Sequence, residues 1–219
     1  MERMDLFGGV HKGLRAALYD TAARVARTDF DDAEEAAAAV GATRGLLALL
    51  EEHSRHEDAV ILPELGRLAP VLHSELQADH HRVDGLHRDT AALLDRLASA
   101  AGAERASLGR RLHERLALLV AEHLRHMHRE ETDANRALQA SFDDAALAAL
   151  HGRILAAIPP PRMAEWLRVI VPAVSRPERA RLLGGLRANV PAPAFADLTA
   201  PARAALGPDE WAASVALAG

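Results

Sequence analysis

The chain contains no cysteine, only 3% aromatic residues and a single lysine, Lys12. The absence of cysteine excludes disulfides, thiolate nucleophiles, iron–sulfur clusters and cysteine-based zinc sites, so any bound metal must be held by nitrogen and oxygen atoms. Few aromatic residues beside abundant alanine disfavour a β-sandwich and suit closely packed helices. We therefore expect an all-α fold.

The sequence also lacks a basic stripe and a long apolar run. Its formal net charge is −5 and its arginines are scattered among acidic residues, which does not favour a nucleic-acid partner. No stretch approaches the ~20 apolar residues that a membrane span requires, and the amino-terminal segment lacks the apolar centre of a signal peptide. These features predict a cytoplasmic protein that binds neither nucleic acid nor membrane.

Helical periodicity, cap signals and Pro/Gly breaks divide the 219 residues into two regions. Residues 1–141 are expected to form an up-down-up-down four-helix bundle, with breaks at Pro63, Gly66 and Pro70. Residues 142–219 contain nine prolines and are expected to form an extension of three or four short helices. The four predicted bundle helices cover residues 9–27, a second helix from the TDFDDAEE cap segment to residue 62, residues 71–101 and residues 105–140.

Each predicted bundle helix carries histidines or carboxylates inside a leucine stripe of helical period. These polar residues stand where a bundle core would ordinarily hold another leucine. The four stripes are Phe7, His11, Leu14 and Leu18; Leu46, Leu50, His53, Glu57 and Val60; Leu76, His80, Val83 and His87; and Leu112, Leu116, Leu119, His123, His126 and Glu130. Because buried carboxylates without a partner are costly, this pattern indicates a cation at the centre.

The spacing of the polar residues supports a metal site. His and Glu at i, i+4 lie about 6 Å apart along one helix face, so both side chains can reach one metal layer. Each half of the bundle supplies one lone histidine and one such pair, and the lone histidine precedes its pair by 42 or 46 residues. Four imidazoles and two carboxylates suit two first-row ions, for which iron is favoured and manganese or zinc are alternatives. The six predicted ligands are His11, His53, Glu57, His80, His126 and Glu130.

Four segments in this order resemble the hemerythrin-like, or HHE cation-binding, domain: VHKGLR, HSRHEDAVILPEL, DHHRVDGL and EHLRHMHREE. The resemblance covers about residues 5–141 and leaves the extension unassigned. It implies a four-helix bundle with a non-haem diiron centre that binds or senses dioxygen, or reacts with peroxide or nitric oxide. When the metal ligands of that family are transferred motif by motif to this chain, the resemblance implies the same six ligands.

One position departs from the family pattern. The oxygen-carrying hemerythrins have a second histidine four residues after the first on the third helix, whereas this chain has Asp84. Asp84 could bind a metal or orient a neighbouring group, and its presence favours sensing or redox chemistry over plain oxygen carriage. His56, His123 and Glu131 are the other alternative ligands, whereas His87 lies two turns from His80 and is interpreted as a polar core residue.

Two other functional classes remain open at this stage. The same centre could belong to a diiron enzyme that disproportionates peroxide or oxidises ferrous iron. Alternatively, the metal could be structural or sensory in an interaction module whose extension, residues 142–219, docks a partner or a second copy to form a homodimer. The sequence contains no substrate pocket that would separate these classes from oxygen binding.

Overall fold

The computed structural model describes residues 3–217, which are mainly helical and contain no β-strand, so the predicted all-α class is confirmed. Within these residues, no helix combines the length and the apolar character needed to cross a membrane. The helices, with one π-helical turn after α5, are α1 Gly8–Arg27, α2 Ala33–Val60, α3 Leu62–Leu68, α4 Pro70–Ser99, α5 Gly102–Arg129, the π turn Glu130–Ala134, α6 Asn135–Ser141, α7 Asp144–Ala157, α8 Pro160–Ala173, α9 Arg176–Asn189, α10 Ala192–Leu206 and α11 Pro208–Leu217.

The helices fall into two compact units. The first unit consists of residues 3–7 with Ala17–His151, and the second of Gly8–Ala16 with residues 152–217. In the first unit, α4 packs against α2, α3 and α5, and α3 also packs against α6. Leucines of α2, α4 and α5 are completely buried there, among them Leu50, Leu76 and Leu112. The four-helix arrangement of this region remains a prediction.

The start of α2 follows the predicted cap signal. Asp32 is the N-cap, and its carboxylate accepts hydrogen bonds from the backbone N–H groups of Glu34 and Glu35. These two bonds lower the pKa of Asp32. The preceding loop is tied to α5, because the Arg105 side chain donates a hydrogen bond to the backbone oxygen of Phe30 at 2.6 Å.

Two predicted helix boundaries are wrong. Pro63 and Gly66, predicted as helix breaks, lie within the short helix α3, because Pro63 is in its first turn, where a missing N–H costs no intrahelical bond. The predicted continuous helix over residues 105–140 is interrupted by the π turn Glu130–Ala134. The i, i+3 and i+4 pattern of the sequence does not register such an insertion, since a π turn adds one residue to a single turn and the apolar residues on either side keep their helical spacing.

The second unit has an apolar core of its own. Leu167, Val171, Leu183 and Ala202 are buried in it, and partly buried side chains such as Trp211 pack around them. Between residues 142 and 217 the extension forms five helices, α7 to α11, instead of the three or four expected, since several prolines occupy first helical turns and do not end helices.

Gly13 is a close-contact position in this unit. A Cβ atom at Gly13 would lie 3.0 Å from Cγ1 and 3.1 Å from Cα of Ile170, so α1 meets α8 with almost no space between them.

Beside this contact, Lys12 Nζ lies 2.6 Å from Glu178 Oε1, and Glu178 also accepts hydrogen bonds from Ser175. The Lys12 bond, followed by the Ser175 bonds, lowers the pKa of Glu178 from 4.5 to about 2. A depressed pKa stabilises the fold above the ordinary value, and this contribution disappears as the pH falls through 4.5 towards about 2.

We expect Glu178→Gln to destabilise the protein at neutral pH and to melt like the wild type near pH 2. Thermal melts of both proteins across this range would measure the difference. In Lys12→Met, which removes the largest cause of the shift, the loss of stability on acidification should be smaller and should be complete at a higher pH. A difference between wild type and Glu178→Gln that stays constant down to pH 2 would contradict the assignment.

Candidate metal centre

The six predicted ligands are all buried. At most 8% of any of these residues is exposed, and each side chain is therefore withdrawn from water. His11 lies on α1, in the segment Gly8–Ala16 that is grouped with the second unit; it stays a predicted ligand. The other five belong to the first unit and are His53, Glu57, His80, His126 and Glu130.

Four of these residues, from α2, α4, α5 and the π turn, converge on one point. One donor atom from each lies within 4.8 Å of the donor atoms of the others; the residues are Glu57, His80, His126 and Glu130. The two imidazoles face each other, with 3.0 Å between their Nε2 atoms. Glu57 Oε2 lies 3.7 Å and Glu130 Oε1 4.0 Å from His80 Nε2, and Glu130 Oε2 lies 3.2 Å from His126 Nε2.

These separations match those of ligands around one ion. Nitrogen and oxygen donors that lie ~2.1 Å from a metal are about 3.0 Å apart at right angles and about 4.2 Å apart across the ion. The measured distances of 3.0 to 4.0 Å fall in that interval. Two buried carboxylates also need positive charge nearby. The group could therefore hold a metal ion.

His53 adds a second imidazole on α2. Its Nε2 atom lies 3.0 Å from Glu57 Oε1, and donor atoms of His53, Glu57 and Glu130 also lie within 4.8 Å of one another. Glu57 and Glu130 thus belong both to the group with His80 and His126 and to the group with His53. Both carboxylates are therefore available to either group of donors.

Two aspartates lie beside the facing imidazoles, one of them within hydrogen-bond distance, and sequence reasoning missed both. Asp58 Oδ1 lies 2.8 Å from His80 Nδ1, and Asp79 Oδ2 lies 3.9 Å from His126 Nδ1. Asp79 is buried, and Arg129 compensates its charge at 3.0 Å. Asp79 fits the stripe of α4, because it stands three residues after Leu76; that position was the available signal. Asp58 follows a ligand directly and lies off the stripe, so no periodic signal marked it.

The π turn begins at one of the ligands. Glu130 is its first residue and is 1% exposed, whereas Glu131 is half-buried. The α5 helix therefore delivers Glu130, and not Glu131, to the group that contains His126. Single π turns inside α-helices occur frequently at functional sites.

A separate pair of histidines lies on the same two helices. His87 Nε2 and His123 Nε2 are 2.8 Å apart, and both residues are buried. Burial lowers the pKa of His87 to about 4 and, with help from His87, holds the pKa of His123 well below its usual range. Two neutral imidazoles form one N–H···N hydrogen bond, which satisfies both facing nitrogens. His87 is thus the polar core residue that was predicted.

The alternative ligands do not join the converging groups. Within residues 3–217, neither group of donor atoms includes His56, Asp84, His123 or Glu131. His56 and Asp84 are only half-buried, and burial lowers the pKa of His56. The position four residues after His80 is therefore not among the converging donors.

Comparisons of the chain with protein-family models, with curated proteins and with solved structures found no match.

Proposed function

We propose that the protein is a non-haem diiron protein that binds or senses dioxygen or a related small oxidant, such as peroxide or nitric oxide. The observation that carries the proposal is the convergence of Glu57, His80, His126 and Glu130, all buried, on donor separations that suit a metal ion. Mixed imidazole and carboxylate ligands favour a first-row ion, and iron supplies the redox chemistry that dioxygen requires.

The proposed ligand set is the predicted one. Glu57 and Glu130 would be shared between the ions, because each belongs to both groups of converging donors. His53 would help to hold one ion, and His80 and His126 would help to hold the other. His11 is completely buried, as a ligand must be, and is proposed as a further imidazole. The metals, when bound, provide the coordination positions for the oxidant and the electrons that reach it.

The protein contributes positioning and exclusion of water. The five ligands of the first unit lie on α2, α4, α5 and the π turn, among completely buried leucines such as Leu50, Leu76 and Leu119. An apolar surround keeps water from competing for the metals and limits access to small uncharged molecules. A centre of this type suits a diatomic gas or peroxide better than a larger substrate.

Metal content and an absorption spectrum test the proposal. Untagged protein purified in air from iron-supplemented cells is expected to contain about two irons per chain and to show the near-ultraviolet bands of an oxo-bridged pair. Addition of dioxygen to the anaerobically reduced protein should then change the spectrum once per centre. Steady gas evolution from peroxide, or continuing oxygen consumption with ferrous iron, would instead assign the centre to an enzyme.

A failure to bind iron would decide against the proposal. Protein that takes up only zinc, or no metal at all, after anaerobic reconstitution with iron would contradict the proposal. The histidines and glutamates would then be a hydrogen-bonded polar core.

A further inference from the structure

We infer that Asp58 is a positioning residue for His80: its carboxylate keeps the imidazole proton on Nδ1 and directs the Nε2 lone pair at the metal. This inference rests on the proposed metal site. Asp58 belongs to neither group of converging donors, so its role is to orient a ligand and not to bind the ion.

His80 and Asp58 are in direct contact through their side chains. His80 Nδ1 and Asp58 Oδ1 are 2.8 Å apart, which is a short hydrogen bond. An ionised carboxylate can only accept, so the hydrogen must reside on Nδ1. A neutral imidazole carries a single N–H, and Nε2 therefore presents a lone pair. His80 Nε2 faces the other converging donors, at 3.0 Å from His126 Nε2 and 3.7 Å from Glu57 Oε2.

His126, the imidazole that faces His80, has a weaker carboxylate contact. Its Nδ1 atom lies 3.9 Å from Asp79 Oδ2, beyond hydrogen-bond distance, and Asp79 is already engaged by Arg129 at 3.0 Å. Asp58, in contrast, has no arginine or lysine at ion-pair distance within the described part of the chain. A carboxylate partner raises the basicity of a ligating imidazole. His80 is thus the more firmly oriented of the two facing ligands.

The exposure of Asp58 limits what a substitution would disturb. The side chain of Asp58 is 53% exposed, so its removal leaves no cavity in the core and no buried charge. A change in metal binding on replacement of Asp58 would therefore report on the ligand and not on a loss of folding.

Zinc affinity measures the effect in the full-length protein, by competition with a chromophoric chelator. Asp58→Ala is expected to weaken zinc binding by roughly 10–100-fold, the usual cost of losing such an outer partner. Asp58→Asn keeps an oxygen that can accept a hydrogen bond from His80 Nδ1, so its zinc affinity should fall less. Asp20→Asn, an equal change in charge at an exposed position on α1, should bind like the wild type.

A spectroscopic signal separates orientation from a merely structural role. In the zinc-loaded wild type, ¹⁵N NMR should detect a slowly exchanging hydrogen on His80 Nδ1. Asp58→Ala should lose this signal or exchange it much faster, whereas Asp58→Asn should retain it at a shifted frequency. All three proteins should show the same thermal midpoint without metal, within the range of an ordinary surface substitution.

Wild-type zinc affinity and an unchanged Nδ1–H signal in Asp58→Ala would overturn the inference, and so would an equal loss in Asp20→Asn. These results differ from a failure of the proposed function. If the wild type itself bound neither zinc nor iron, the metal site and the ligand role of His80 would both be excluded. If the wild type bound zinc and Asp58→Ala bound it equally well, only the inference would fall.

Discussion

Replacement of Glu57 is expected to abolish metal binding while leaving the metal-free protein at least as stable as the wild type. Glu57 belongs to both groups of converging donors, so its loss removes a ligand from each proposed ion. Loss of a residue that only hydrogen-bonds a ligand lowers metal affinity by roughly 10–100-fold, so loss of a ligand shared by both groups should lower it by more than ~100-fold. Metal analysis of Glu57→Ala and of the shape-preserving Glu57→Gln would measure this result.

The expected effect on stability has the opposite sign, and this makes the test discriminating. Without a cation, two carboxylates buried near each other oppose folding, so neutral glutamine at position 57 should not lower the thermal midpoint in the presence of a chelator. If Glu57 is instead part of a polar core, its contact with His53 at 3.0 Å stabilises the fold. Glu57→Gln or Glu57→Ala would then destabilise the metal-free protein by ~1–3 kcal/mol.

Glu51 provides the matched control. It is an exposed carboxylate on the same helix and belongs to neither donor group. Glu51→Ala should retain the wild-type metal content. Full metal retention in Glu57→Ala would remove Glu57 from the site, whatever its effect on stability.

Alanine substitutions at two helical glycines should change stability in opposite directions. A Cβ atom at Gly109 on α5 would lie 2.3 Å from two ring atoms of Phe30, so the ring would have to move. Overpacking of this severity lowers the free energy of unfolding by up to ~3 kcal/mol, and the gain in helix propensity raises it by only ~1 kcal/mol. Gly109→Ala should therefore destabilise by about 2 kcal/mol, or lower the thermal midpoint by roughly 4–8 °C.

Gly45 on α2 is the control for helix propensity. A Cβ atom there meets nothing within 4 Å, and Gly45→Ala should stabilise by about 0.5–1 kcal/mol. A double-mutant cycle identifies the cause: in a Phe30→Ala background, Gly109→Ala should also become neutral or stabilising. A Gly109→Ala protein as stable as Gly45→Ala would show that the loop before α2 does not pack on α5 in this way.

Local patterns identified most of the residues that converge. His53, Glu57, His80, His126 and Glu130 were predicted because the helical period places them on apolar stripes, and burial on a helix face depends mainly on that period. All five are buried. A cap in the TDFDDAEE segment was predicted from local sequence as well, and the structure places it at Asp32, whose carboxylate accepts from two free N–H groups of the first turn.

Contacts between helices were not predictable in the same way. Asp58 reaches His80 across 22 residues of sequence, and His87 pairs with His123 across 36. Such contacts depend on the rotation and axial offset of one helix against another, which a periodic pattern leaves undetermined. The π turn Glu130–Ala134 was likewise not predicted, because the apolar period does not register one inserted residue.

The sequence by itself determined the all-α class, the absence of thiolate ligands, and most of the imidazoles and carboxylates that face the interior. These properties follow from composition and from a period of 3.6 residues, both of which are local. Only the tertiary structure decided which of these donors lie within 4.8 Å of one another, and which aspartates support them. Those distances are set by how side chains of different helices interlock, and no single helix contains that information.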